Sequence, residues 1–81
     1  MIIPMAADWN ELRVLGEQYS READNLYALI RACRERRRAA LARGNGPEAQ
    51  RQERLIELHT QQRADLLQLV AWLRHYLEAG A

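Results

Sequence analysis

The 81-residue sequence has no lysine and no phenylalanine, one cysteine, two prolines, four glycines and only five aromatic side chains. Each shortage excludes something. A lone cysteine, Cys33, cannot form an intramolecular disulfide, and it fits a reducing compartment better than a secreted one. Prolines at positions 4 and 47 alone leave long stretches with nothing to interrupt regular structure. No stretch approaches the roughly 18 apolar residues of a membrane span. The opening "MIIPMAADW" has no basic region and too short an apolar run for a secretory signal. The expectation is a soluble, cytoplasmic chain that meets no membrane.

Chemistry-bearing motifs are missing as well. There is no glycine-rich phosphate loop, no serine elbow and no paired-carboxylate motif. His59 and His75 stand sixteen positions apart, with no cysteine or acid completing a metal-ligand spacing. His59 is expected partly buried beside the apolar stripe, and His75 at a helix C-terminus where the dipole favours it. Cys33 lies on that stripe, where a thiol behaves as a small hydrophobe, and no base is placed to activate it. No catalytic residue, metal or cofactor is expected, so the chain reads as a non-enzyme.

What the chain does have is Leu and Ala among apolar residues and Arg, Glu and Gln among polar ones, the composition of long helices. The length admits one domain, residues 1–81. Residues 1–7 read as a lead-in. Asp8 with Glu11 three positions on resembles a capping box that starts a first helix over 8–43. Its apolar stripe runs Leu12, Leu15, Tyr19, Ala23, Leu26, Leu29, Ile30, Cys33, Ala40 and Leu41, in steps of mostly three and four. "GNGP" at 44–47 breaks it. Gly44 suits the left-handed position after a helix, Asn45 or Gly46 suits a cap, and Pro47 and Glu48 suit a first turn. A second helix over 47–79 carries Leu55, Leu58, Gln62, Leu66, Leu69, Val70, Leu73, Tyr76 and Leu77. The short loop makes the two helices antiparallel neighbours. The fold class is all-α, a two-helix hairpin.

Two helices bury only one stripe each, which is thin for a small scaffold without disulfides or metal. In "ADLLQLVAWLRHYL" apolar residues cover more than half the circumference, as in a helix buried on most faces. Folding the chain about Asn45–Gly46 sets Cys33 opposite Leu58, Leu26 opposite Leu66, and Tyr19 opposite Trp72–Leu73. Most aromatics then gather at the end away from the loop. The expected association surface is Trp9, Leu12, Tyr19, Leu66, Leu69, Val70, Trp72, Leu73 and Tyr76, and the expected partner is a second copy, forming a four-helix bundle. An unidentified protein could dock there as well.

Charge has the same polarity. From Arg34 to Arg54 seven arginines face Glu35, Glu48 and Glu53, a net of +4, while the rest of the chain carries −3. Arg34, Arg36, Arg37, Arg38, Arg51 and Arg54 are candidate phosphate contacts for RNA or DNA, since arginine's planar fork suits phosphate. No aromatic interleaves them for base stacking, so such binding would be weak and sensitive to salt. A solvated hairpin tip, balanced by ion pairs along the helix, is the simpler expectation.

The layout "LRVLGEQYSREADNLYALIRACRERR", a Gly/Pro break, and "RLIELHTQQRADLLQLVAWLRHYLE" resembles small helical-hairpin proteins of prophages and integrative mobile elements in Gram-positive bacteria. The resemblance spans about Trp9 to Glu78 and implies no activity and no site residues. In length and architecture the chain is also similar to the dimeric RNA-binding hairpins that modulate plasmid copy number, without a shared motif. Its first helix looks like that of helical chorismate mutases, whose active site needs a lysine and a third helix that this sequence lacks.

Overall fold

A computed structural model describes residues 9–80. Two helices account for nearly all of them, α1 (Trp9–Ala42) and α2 (Gly46–Gly80). They lie side by side in a rod of 57 × 20 × 16 Å. Among the described residues there is no strand. Both helices start and stop within about one residue of the sequence expectation. The Asp8 cap and the 1–7 lead-in lie outside the described residues.

The turn explains why the helices end where they do. Gly44 takes φ +72°, a conformation that costs residues with a Cβ and suits glycine. With Gly44 in place, the Asn45 N–H donates to the Ala40 carbonyl at 2.8 Å and the Gly44 N–H donates to the Leu41 carbonyl at 3.0 Å. These are the two bonds of a Schellman ending, and they satisfy carbonyls that the helix itself leaves open. Asn45 then caps α2: its Oδ1 accepts from the Glu48 N–H at 3.2 Å, and its carbonyl accepts from the Ala49 N–H at 3.1 Å. One residue thus closes α1 through its backbone and opens α2 through its side chain. Pro47 lies in the first turn of α2, where its missing N–H has no partner to lose.

Burial follows a heptad. On α1 the residues turned to the partner helix are Leu12, Gly16, Tyr19, Ala23, Leu26, Ile30, Cys33, Arg37 and Ala40. On α2 they are Ala49, Gln52, Ile56, His59, Arg63, Leu66, Val70, Leu73 and Leu77. Steps alternate strictly between three and four, the repeat that keeps two supercoiling helices in register. This corrects the stripes read from the sequence. Leu29, Leu41, Leu58, Gln62 and Leu69 lie outside the seam, exposed, while their neighbours Ile30, Ala40, His59, Arg63 and Val70 are in it. A stripe drawn by picking apolar residues drifts, because several buried positions are small or polar. The pairing across the hairpin does follow expectation: Arg37 meets Glu53, Arg63 meets Tyr27, and Gly16 meets Leu73.

The seam is thin. Its buried apolar residues are Ala23, Ile30, Cys33, Ala40, Ala49 and Leu73, four of them small. Among the described residues no large side chain is completely buried. The loop half is also polar. Gln52 is buried with its Nε2 donating to Glu48 Oε1 at 2.8 Å, while its own Oε1 has no partner. The buried Nε of Arg63 likewise has none, although its guanidinium lies 5.1 Å over the Tyr27 ring. An unsatisfied buried group costs about 1–3 kcal/mol. Such groups specify register more than they add stability.

Gly16 sits in the seam although its helical backbone needs no glycine. A Cβ there would meet Leu73 Cδ1 at 3.9 Å, an ordinary contact. Gly16→Ala is therefore expected to stabilise the fold by about 0.5–1 kcal/mol through restored helix propensity. A thermal melt followed by circular dichroism should shift upward by roughly 4–8 °C per kcal/mol. A downward shift would mean that the helices approach more closely there than the contact distance indicates.

Candidate interaction surfaces

The heptad leaves two flanks, one on each side of the seam. They differ in chemistry. One flank brings together Leu15, Leu29 and Ala32 of α1 with Leu55, Leu58, Leu69, Trp72 and Tyr76 of α2. Leu29, Leu58, Leu69 and Trp72 are 43–53% exposed. A polar band of Glu22, Asn25 and Gln62 crosses it beside Leu26 and Leu66, in a shallow groove between the helices. The opposite flank is mainly polar, with Arg13, Ser20, Arg34, Glu53, Thr60 and Arg74, and its exposed apolar members are Tyr27, Leu41 and Leu67.

At the end away from the loop, the apolar flank finishes in a stack of aromatic rings. Tyr76 lies between two indoles, its ring centroid 5.4 Å from that of Trp9 and 5.4 Å from that of Trp72, with planes inclined by 31° and 16°. Both tryptophans stay nearly half exposed. Rigid aromatics that are packed on one side and open on the other are the anchors most often found in protein interfaces.

The residues expected to form an association surface divide accordingly. Leu12, Tyr19, Leu66, Val70 and Leu73 are taken up in the intramolecular seam, with Leu73 buried and the others half-buried. Trp9, Leu69 and Trp72 face outward, and Tyr76 is shared between the two. Leu15, Leu29, Leu55 and Leu58 belong to the same outward flank. The sequence stripes had assigned them to the intramolecular face, and only the three-four alternation would have separated them from it.

The arginine-rich end is a solvated tip in which three arginines hold carboxylates. Arg38 meets Glu35 at 2.7 Å, Arg51 meets Glu48 at 3.7 Å, and Arg37 reaches across to Glu53 on the other helix at 3.9 Å. These pairs are well exposed and each contributes at most about 1 kcal/mol. Glu53 and Glu57 pair with neither Arg51 nor Arg54. Among the described residues Arg34, Arg36, Arg43 and Arg54 have no ion pair. The arginines fan around the axis, Arg36 toward the apolar flank and Arg34 toward the polar one, so they do not form a single stripe.

Other chemistry is not assembled. Among the described residues no three His, Cys, Asp or Glu side chains gather to hold a metal. His59 is half-buried, with Nδ1 at 3.0 Å from Gln62 Oε1. Cys33 is buried. Among the described residues no helix is long and apolar enough to cross a membrane. No family model, curated protein or solved structure matches this chain.

Proposed function

We propose that this chain is a non-enzymatic interaction protein whose working form is a pair of hairpins, packed through their apolar flanks into a four-helix bundle. The observation that carries this reading is the exposure of Leu29, Leu58, Leu69 and Trp72 on one flank, beside a seam in which nearly half of the positions are alanine, glycine or polar residues. The surface area agrees. The chain exposes 6315 Å², against roughly 5,000 Å² for a compact monomer of its mass. A standard interface removes about 800 Å² from each partner.

Light scattering over a range of concentrations and at two salt concentrations tests the reading. The expected mass is twice 9.4 kDa. A mass of one chain at every concentration would overturn self-association and leave the flank for a different protein.

A second reading is a small RNA- or DNA-binding regulator, and the four arginines at the tip without a carboxylate favour it. Phosphates would recruit Arg34, Arg36 and Arg54, together with Arg37, Arg38 and Arg51 released from their exposed pairs. The expected signature is anisotropy of a labelled duplex that falls by an order of magnitude or more in affinity between about 50 and 200 mM salt. It should be lost when Arg36, Arg37 and Arg38 are changed to Gln, with helicity unchanged. An absence of binding by the parent chain at the lower salt would end this reading.

A further inference from the structure

We infer that the two hairpins pair in opposite directions, so that the basic tip of each lies beside the acidic, aromatic end of the other. This rests on the self-association proposed above and adds the orientation.

Three features of the flank point the same way. The first is charge. The segment from Arg34 to Arg54 carries +4 and the remainder −3. Hairpins aligned tip to tip would set two +4 segments side by side, a repulsion that grows as salt is lowered. Reversed hairpins set each basic tip beside the terminal end of the second copy, where Glu11 lies next to Leu15 on the apolar flank.

The second is bulk. Near the loop the flank presents leucines and Ala32; near the termini it presents Trp72, Tyr76 and Trp9. Aromatic end on aromatic end would wedge the layers apart there and leave them loose at the loop. Reversal sets large side chains against smaller ones at both ends, as close packing requires.

The third is register. A two-fold axis near Asp65 of α2 superposes Trp72 on Leu58 and Tyr76 on Leu55 of the second copy. It also brings Asp65 near its own equivalent, on the exposed edge of the flank, where Gln61 Nε2 donates to Asp65 Oδ1 at 3.0 Å.

The orientation can be read as a distance. Gln50 is exposed near the loop and lies away from the apolar flank. Gln50→Cys is labelled with a nitroxide, and dipolar spectroscopy measures the separation between labels in the dimer; labelling of the parent chain checks that buried Cys33 does not react. Reversed hairpins place the labels about 45 Å apart at 1.5 Å per residue. A separation of about 20 Å in a species of dimeric mass would overturn the orientation while keeping the dimer. A monomeric mass with no dipolar signal would overturn the self-association on which it rests.

Discussion

Leu69→Arg is expected to split the paired hairpins while leaving each hairpin folded. Leu69 is 43% exposed and lies on the apolar flank between Leu66 and Trp72, adding little to the seam of its own chain. Within one hairpin an arginine at that position keeps its charge in water, and its stem can lie along the helix. Between two hairpins the same guanidinium would be pressed against leucine and tryptophan and lose water, which costs several kcal/mol and is only partly offset by Asp65 one turn away. Affinity should fall at least about 100-fold, near 2.7 kcal/mol. Sedimentation or light scattering reads the mass, and circular dichroism at the same concentration reads the fold. The control is Leu67→Arg, two residues away and similarly exposed at 40%, but on the polar flank. Equal behaviour of the two variants would remove the apolar flank as the interface. Any loss of helicity in Leu69→Arg that reverses at higher concentration would show that pairing itself supports the hairpin, since an obligate partner contributes to stability by mass action.

Much of the hairpin is legible in the sequence because its strongest signals are local. Gly44, Asn45 and Pro47 act within one turn, through a left-handed φ, a side-chain cap and a missing N–H, and no distant residue can override them. They fix both helix ends and, through the short loop, the register, which is why Arg37 meets Glu53 and Tyr27 meets Arg63. The division of each helix into seam and flank is harder to read. Adjacent pairs such as Leu58 and His59, or Leu69 and Val70, differ by about 100° around the axis. Hydrophobicity alone favours the wrong member at Leu58, Leu41 and Gln62. The seam accepts His59, Ala40 and Arg63 instead because the alternation of three and four holds over the whole length, and a long-range period outweighs any single residue. The apolar residues displaced from the seam then define the flank. Leu29 and Leu58, the leucines that a composition-based stripe buries, are ones the fold leaves exposed. The arginine tip is legible in charge but not in pairing, because exposed ion pairs differ by too little energy for spacing to choose among them.

Leu73 provides the sharpest energetic test of that division. It is 3% exposed, the one leucine of α2 that is buried, and it packs where Gly16 offers no side chain. Leu73→Ala removes the contact and leaves a void that a glycine opposite cannot refill. Leucine-to-alanine changes at such sites cost about 2–5 kcal/mol. For a chain of this size that corresponds to a fall in melting temperature of more than about 10 °C, a large share of the stability of a small fold. Leu67→Ala, on the polar flank of the same helix, should cost less than about 0.5 kcal/mol. Leu69→Ala should lower the melting temperature only at protein concentrations where the parent chain pairs, because its effect passes through pairing. Three leucines within seven residues are thus expected to give three different responses in one concentration series of thermal melts. The gain from Gly16→Ala should persist in the Leu73→Ala background to within about 0.5 kcal/mol, because it arises mostly from backbone entropy and only slightly from the 3.9 Å contact. Equal losses at Leu67 and Leu73 would contradict the heptad itself. A concentration-independent loss at Leu69 would contradict only the pairing, and the intramolecular seam would stand.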